Sequence, residues 1–295
     1  MKKVMLAIAI DPEKVKFPVI ASPKIDGVRC HIDRDNYGNI VALSRKNKPI
    51  PNRYVQSLFA HKEYLGCDGE LTVGPITATD VFRKTTSGVM TVLGNPDVQF
   101  SVFDNHDSEL RFEERLSRLE ANSEWWGEER LLVLYQTKLN NYDELLKYEQ
   151  ECLSKGYEGI IIRSPDSPYK EGRSTVKEGF LLKIKRFADA EATVIGFEEL
   201  MHNANALGND ELGYSKRSSA KEGLIPAGTL GALVVKMIGI TFNIGSGFDD
   251  KTRQEIWDNQ NKYIGKLVTF KYFQTGMKDA PRFPCFKGFR DESDV

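Results

Sequence analysis

The sequence predicts an α+β domain followed by a small all-β barrel. Three observations carry this expectation. Up to about Arg186, β-prone runs and amphipathic helical segments follow one another in irregular order, as in α+β rather than regularly wound domains. Beyond Arg186 the chain turns to β-prone runs with a single helical stretch. The 295 residues, 40% of them hydrophobic, suffice for two cores. The boundary is expected near Phe187 to Asp189, giving domains 1–187 and 188–295.

Taken in order, Phe17 to Ala21 is an extended apolar run. Asp26-Gly27 is a turn signal, and a strand resumes through Ile32, which together predict a hairpin. Ile40 to Ser44 reads as a strand and Arg45-Lys46-Asn47-Lys48 as a basic loop. Pro51-Asn52 starts a helix with Val55, Leu58 and Phe59 on one face and Gly66 as its stop. Cys67 to Val73 is a short strand, Thr79 to Thr86 a helix, and Val98 to Phe103 another strand ending at Asp104. Phe112, Leu116 and Leu119 carry helical spacing. A strand from Leu131 to Tyr135 follows, then a helix from Tyr142 to Lys155 closed by Gly156. Gly159 to Arg163 and Phe180 to Ile184 complete the first domain as strands.

In the second domain, Ala192 to Phe197, Ala232 to Met237, Ile240 to Ile244 and Leu267 to Phe273 read as strands, with a helix near Lys251 to Tyr263. About five strands in roughly 100 residues suit a barrel of the oligonucleotide-binding (OB) type. His202 to Pro226, rich in Asn, Gly, Ser and charge, reads as a long surface loop.

Composition narrows the function classes. No apolar run reaches the length of about 18 residues that spans a membrane. Met1-Lys2-Lys3 and Val4 to Ile10 are too short for a signal peptide and lack a small-residue cleavage site. A cytoplasmic protein is therefore expected. Cys30, Cys67, Cys152 and Cys285 show no CxxC spacing, which argues against a zinc knuckle or a disulfide framework. The net charge is −1, but its distribution is uneven. Arg163 to Phe187 holds seven basic and three acidic residues, and Lys266 to Arg290 holds six and one. His106 to Arg130 runs the other way, with four basic and eight acidic. Such a distribution would give the chain a basic face and an acidic back.

The chemistry concentrates around Lys24-Ile25-Asp26-Gly27-Val28-Arg29. A lysine before the turn and an arginine after it would project into one pocket. Lysine serves as a covalent nucleophile when its amine is neutral, and nearby cations favour that form. Arginine offers a planar fork for phosphate or ribose oxygens. An ordinary surface hairpin with two solvated cations fits this stretch equally well. Lys183 and Lys185, two apart, face one way on a strand, as do Asp68 and Glu70. Carboxylates there and at Glu158, opposite lysines, supply the parts of a magnesium-assisted phosphoryl-transfer site.

Several motifs occur in a fixed order. Lys24 to Arg29 matches the KxDGxR signature of covalent nucleotidyltransferases, and Ser44-Arg45 the short motif after it. Asp68-Gly69-Glu70-Leu71 resembles their DGEL strand, and Phe103-Asp104 their adenine-stacking segment. Glu158 to Arg163 resembles their EGxxxK/R strand, and Leu182-Lys183-Ile184-Lys185 their paired-lysine strand. Arg282-Phe283-Pro284 with Phe289-Arg290 is similar to the terminal motif of short phage-encoded ATP-dependent DNA ligases. Gly228 to Val234 and Gly245 to Phe248 are similar to ligase OB segments. The resemblance spans nearly the whole chain.

It implies a nucleotidyltransferase (adenylation) domain followed by an OB domain, sealing 5′-phosphate/3′-hydroxyl nicks in duplex DNA during replication, repair and recombination. Lys24 would attack the α-phosphate of ATP and carry AMP as a covalent adduct. Arg29 would contact ribose or the nick phosphate, Glu70 ribose or metal, and Phe103 adenine, although a core aromatic fits Phe103 nearly as well. Glu158 would support Mg²⁺ or Mn²⁺. Lys183 and Lys185 would hold phosphates and help keep Lys24 unprotonated. Arg45 would grip the 5′-phosphate, with a solvated loop charge as the even alternative, and Arg282 would orient the departing pyrophosphate. Only 23 residues precede Lys24, too few for a nicotinamide-binding or large DNA-binding domain, so a minimal monomeric enzyme is expected. An RNA ligase or mRNA capping guanylyltransferase shares KxDGxR and is the alternative. Ser22 stands where many ligases carry a glutamate that reads adenine, which leaves ATP over GTP open.

Overall fold

The computed structural model describes residues 2–106, 109–126, 129–273 and 280–290. They form two units, Met1–Lys185 with Asn209–Tyr214, and Arg186–Gly208 with Ser215–Val295.

The described residues of the first unit carry two five-stranded sheets. One runs Ile8–Ala9, Leu182–Ile184, Ile160–Arg163, Val19–Pro23, Thr137–Leu139. The other runs Ile40–Ser44, Val28–Arg34, Cys67–Val73, Val98–Asn105, Leu131–Val133. Val19–Pro23 and Val28–Arg34 therefore do not form the expected hairpin. Val19, Ile20 and Ala21 are all buried and pair with Leu139 to Thr137 on one side, while Ile20 and Ala21 pair with Arg163 and Ile162 on the other. Val28 to His31 instead pair with Leu71 to Asp68. An Asp-Gly signal marks a reversal but does not choose partners, and here each strand finds a more buried one. Lys24 to Gly27 becomes a crossover between sheets. Gly27 is required there, because a Cβ would lie 2.2 Å from the Leu71 carbonyl oxygen.

Each sheet packs one face on its own helices. Alternation puts Cys30 and Ile32 into a core with Ala42, Leu71 and Phe100 and with Val55, Phe59 and Val89 from two helices. Arg29, His31 and Asp33 consequently lie on the opposite face. The first sheet buries Val19, Ala21, Ile160 and Ile162 against Leu145 and Cys152 of the helix Tyr142–Ser154.

Helix boundaries shift for local reasons. Asn52 caps Arg53–Phe59, its side chain accepting from Val55 N–H at 2.9 Å. That helix ends before Gly66, which instead takes φ +90 and donates to the Ile32 carbonyl. The next helix runs Val81–Met90 rather than Thr79 to Thr86, burying Val81, Thr85 and Val89. Thr85 Oγ1 accepts from Val73 N–H at 2.8 Å and ties this helix to its sheet.

The second unit is an antiparallel five-stranded sheet ordered Ile240–Ile244, Leu224–Met237, Ala188–Asn203, Leu267–Phe273, Arg282–Phe289. A bridge between Ser246 and Cys285 joins its two edges. Register shifts near Gly196 and Glu199 bend the long strand Ala188–Asn203 around the core. Val194, Leu233, Val235, Val268 and Phe270 fill the interior, with Ile256 entering from the helix Asp250–Asp258. The expected loop His202 to Pro226 carries paired backbone at both ends and in a short inner ribbon. His202 and Met201 pair with Ile225 and Pro226, and Leu207–Asn209 with Ser215–Arg217. An exposed ribbon needs no apolar alternation, so its sequence carries little strand signal. No described helix is long and apolar enough to cross a membrane.

Candidate active site

The free faces of the two sheets in the first unit enclose a cavity of about 550 Å³. That falls within the usual range for small-molecule sites, about 300–1,000 Å³. Pro23, Ile161 and Lys183 enter from one sheet and Arg29, Glu70 and Phe103 from the other, while Phe82, Thr86 and Met90 come from the helix Val81–Met90. Lys24 lies on the crossover, at the junction.

The backbone sets Lys24. Its N–H donates to the Gly159 carbonyl at 2.9 Å, and Glu158 N–H donates back to the Lys24 carbonyl at 3.3 Å. Gly159 sits at φ +148, where an added Cβ would be 2.3 Å from the Ile184 carbonyl oxygen. This close approach brings the side chains together. One oxygen of the buried Glu158 carboxylate meets Lys24 Nζ and the other meets Lys185 Nζ. Lys183 lines the cavity, whereas Lys185, just beyond the strand end, turns to Glu158. The two lysines thus have different surroundings. Burial, then Lys24, Arg173 and Arg45, holds the Lys183 ammonium below the usual lysine range.

Arg29 is fixed by a bidentate pair with Asp68, at 2.6 and 2.7 Å, and stands 4.6 Å over the Phe103 ring. Asp68 also accepts from the Tyr169 hydroxyl at 2.6 Å. It does not serve as the metal-facing carboxylate expected from the Asp-x-Glu spacing, because its oxygens are committed to Arg29 and Tyr169. Glu70, opposite Arg29 in the ladder, does face the cavity. Burial pushes its carboxyl up to about 7, against the pull of Arg29 and Lys24.

Phe103 belongs to the cavity wall and not to the core. Behind it, Asp104 is fully buried and accepts from Arg115 at 2.7 and 3.1 Å and from Arg163. Arg163 stands 5.4 Å over the Phe103 ring, so this ion network fixes the wall from behind.

Arg45 is exposed at the rim, its guanidinium 4.9 Å over the Tyr214 ring. Next to it, Ser44 Oγ donates to the Leu212 carbonyl, and Leu212 is buried in the core of the second sheet. Asp210, Leu212 and Tyr214 all line the cavity. Sequence reasoning missed these three; their only signal is an apolar pair two apart in a polar stretch. It also missed Arg173, which lines the cavity. Ser22, at the position that leaves base choice open, is buried at the cavity edge. Arg282 lies in the second unit, at the start of Arg282–Phe289, with its guanidinium 5.0 Å over Phe283.

Lys24, Arg29, Arg45, Arg163, Arg173 and Lys183 thus line the cavity against two acids, Glu70 and Asp210. This is a lysine amine set in a field for a polyphosphate. The family profile described as "ATP dependent DNA ligase domain" matches residues 4–185, and that described as "DNA ligase OB-like domain" matches 226–290. The chain belongs to the ATP-dependent DNA ligases. A DNA ligase of Haemophilus influenzae is 26% identical over 270 residues, covering 90% of this chain and 85% of that protein. The solved Chlorella virus DNA ligase-adenylate is 35% identical, with a TM-score of 0.55, covering 98% of this chain and all of that one. A solved Lig E DNA ligase, described as binding DNA with a minimal scaffold, is 25% identical with a TM-score of 0.73 over 98% of this chain. The ligase accordingly has a nucleotidyltransferase domain followed by an OB-like domain, as the sequence predicts.

Proposed function

We infer that the ligase seals nicks in three steps run by the residues around Lys24. Supporting this most directly is the position of Lys24 Nζ, at the cavity beside Glu158, with five further cations along the walls. In the first step Nζ attacks the α-phosphorus of ATP. The N–P bond forms, the bond to the β-phosphate oxygen breaks, and pyrophosphate leaves. Glu158, in contact with Nζ, orients the amine and takes up its proton. Lys183 and Arg173 neutralise the phosphates, and Phe103 stacks on the base. Glu70 accepts from ribose hydroxyls in its ionised form.

In the second step a 5′-phosphate oxygen at the nick attacks the lysyl-AMP phosphorus, the N–P bond breaks, and AMP passes to the DNA. Arg45 and Arg29 hold that 5′-phosphate. In the third, the 3′-hydroxyl attacks the 5′-phosphorus, AMP leaves, and the phosphodiester is complete. Arg282 serves only the first step, by orienting pyrophosphate. On this reading the ligase is a monomer acting on nicked duplex DNA in the cytoplasm.

The donor set fits Mg²⁺ brought in with ATP. Glu70 is a hard oxygen donor facing the cavity, and Glu158 would become one through the oxygen now held by Lys24, once that amine is bonded to phosphorus and its proton has passed on. Mg²⁺ is usually held by one or two carboxylates together with substrate phosphates. When bound, the ion would neutralise developing phosphate charge.

The test separates the steps. Lys24→Ala should take up no AMP from ATP yet seal a nick whose 5′ end already carries AMP. Uptake of label by Lys24→Ala, or its failure on both substrates while still folded, would refute the assignment.

A further inference from the structure

On the face of Val28–Arg34 that carries Arg29, two further side chains continue toward the strand end, His31 and Asp33. His106 follows the strand Val98–Asn105 and meets them. One ligand atom from each of the three lies within 4.8 Å of the other two. Both imidazoles are buried and Asp33 is partly exposed, so the group has a dry interior and one side open to solvent.

We propose that His31, Asp33 and His106 form a site for one divalent transition-metal ion of the zinc type. Three observations support it. First, His31 Nδ1 and His106 Nε2 are 3.3 Å apart, with the rings at 70°. Two nitrogens bound tetrahedrally at about 2.0–2.1 Å from zinc are separated by about 3.3–3.4 Å. Second, His31 Nε2 lies 3.0 Å from Asn47 Oδ1. That oxygen is an acceptor, so Nε2 carries the proton and Nδ1 presents its lone pair toward His106. A ligating histidine is oriented in this way by a carbonyl on its other nitrogen. Third, the Asp33 oxygens accept main-chain N–H groups of Lys2 at 2.9 Å and Arg34 at 2.7 Å. These bonds fix the carboxylate and leave each oxygen a further lone pair.

Two imidazoles and one carboxylate, with a fourth position for water, select zinc-like ions over Mg²⁺, which prefers oxygen ligands. The ion would tie the strand Val28–Arg34 to the end of Val98–Asn105. Through Asn47, which also donates to the Lys2 carbonyl at 3.1 Å, it would brace the turn that follows Arg45.

The test titrates the whole chain with Co²⁺ in excess Mg²⁺, reading visible absorption, with Zn²⁺ as competitor. One equivalent should bind with the intense bands of a tetrahedral N/O site and be displaced by Zn²⁺. Asp33→Asn and His106→Gln should each weaken binding at least tenfold. Asn47→Gly, which suits the φ of +58 at that residue, should weaken it on the order of tenfold to a hundredfold. His61→Gln and His202→Gln, at the other two histidines, should change nothing. If His106→Gln does not fold, Asp33→Asn and Asn47→Gly decide. The proposal fails if no stoichiometric binding occurs in the micromolar range. It also fails if Asp33→Asn and Asn47→Gly bind like the parent, or if His61→Gln or His202→Gln abolishes the bands.

Discussion

The Lys24 ammonium lies against the Glu158 carboxylate, a pairing of side chains 134 residues apart in the chain. Glu158 uses its other oxygen for Lys185, so one carboxylate joins the cavity-lining Lys24 to a second cation behind it. Replacing it with a neutral isostere removes two charge-assisted contacts but no volume. Of these only the contact to Lys24 bears on the attacking amine, so Glu158→Gln should slow adenylylation on the order of tenfold to a hundredfold, from roughly 1.5–3 kcal/mol for that contact. Single-turnover transfer of label from ATP to protein checks this, and an unchanged rate would remove Glu158 from the mechanism.

Arg45 and Arg282 should fail at different steps. Arg45→Ala should form the AMP adduct and discharge it slowly onto nicked DNA, because its guanidinium stands at the rim beside Tyr214. Arg282→Ala should adenylylate slowly from ATP and seal a pre-adenylylated nick almost normally. Each loss should be on the order of tenfold to a hundredfold. Assaying both variants on both substrates gives four rates, and equal losses throughout would overturn both roles.

Glu70 ties stability to pH. Its carboxyl titrates near 4.5 when unperturbed, and burial raises it to about 7 in the fold. The folded chain thus holds this proton more tightly. Its ionised form costs stability, in full above about pH 7, with the cost fading as pH falls toward 4.5. Glu70→Gln should raise Tm at pH 8, by the equivalent of roughly 1–3 kcal/mol, and change it little at pH 5. The same variant should bind nucleotide less well at pH 8, having lost its anionic acceptor. A Tm gain equal at both pH values would mean that the effect is packing and not charge.

Asp104 sits fully buried between two buried arginines. Removing its charge leaves both under-compensated, which typically costs about 3–5 kcal/mol. Asp104→Asn should therefore lower the urea midpoint strongly, whereas Asp166→Asn, at an exposed pair with Arg111, should not. Comparable small effects would show that the buried network contributes little.

Much of the site was legible because its residues occupy short local motifs. Lys24, Arg29, Glu70, Phe103, Lys183 and Arg45 all line one cavity, and Glu158 stands behind Lys24. The pairing of strands was less legible. Asp26-Gly27 reads as a hairpin turn, yet the strands on either side enter different sheets, since partner choice depends on burial far away in the chain. Thr137–Leu139, an edge strand of three residues, carried too little pattern to be seen. Asp210, Leu212 and Tyr214 escaped notice because a polar ribbon gives no periodic signal, and their place beside Arg45 is decided by tertiary packing. The Asp68 and Glu70 pair shows the limit of face arguments. The two share a side of the strand, but Arg29 and Tyr169 claim Asp68 while Glu70 is left facing the cavity.

The most direct measurement incubates the protein with α-labelled ATP and Mg²⁺, resolves it by denaturing electrophoresis, and chases with nicked duplex DNA. Label on the protein should survive denaturation, be absent from Lys24→Ala, and disappear from the protein as nicks are sealed. Label that never becomes covalent, or that persists on Lys24→Ala, would contradict it.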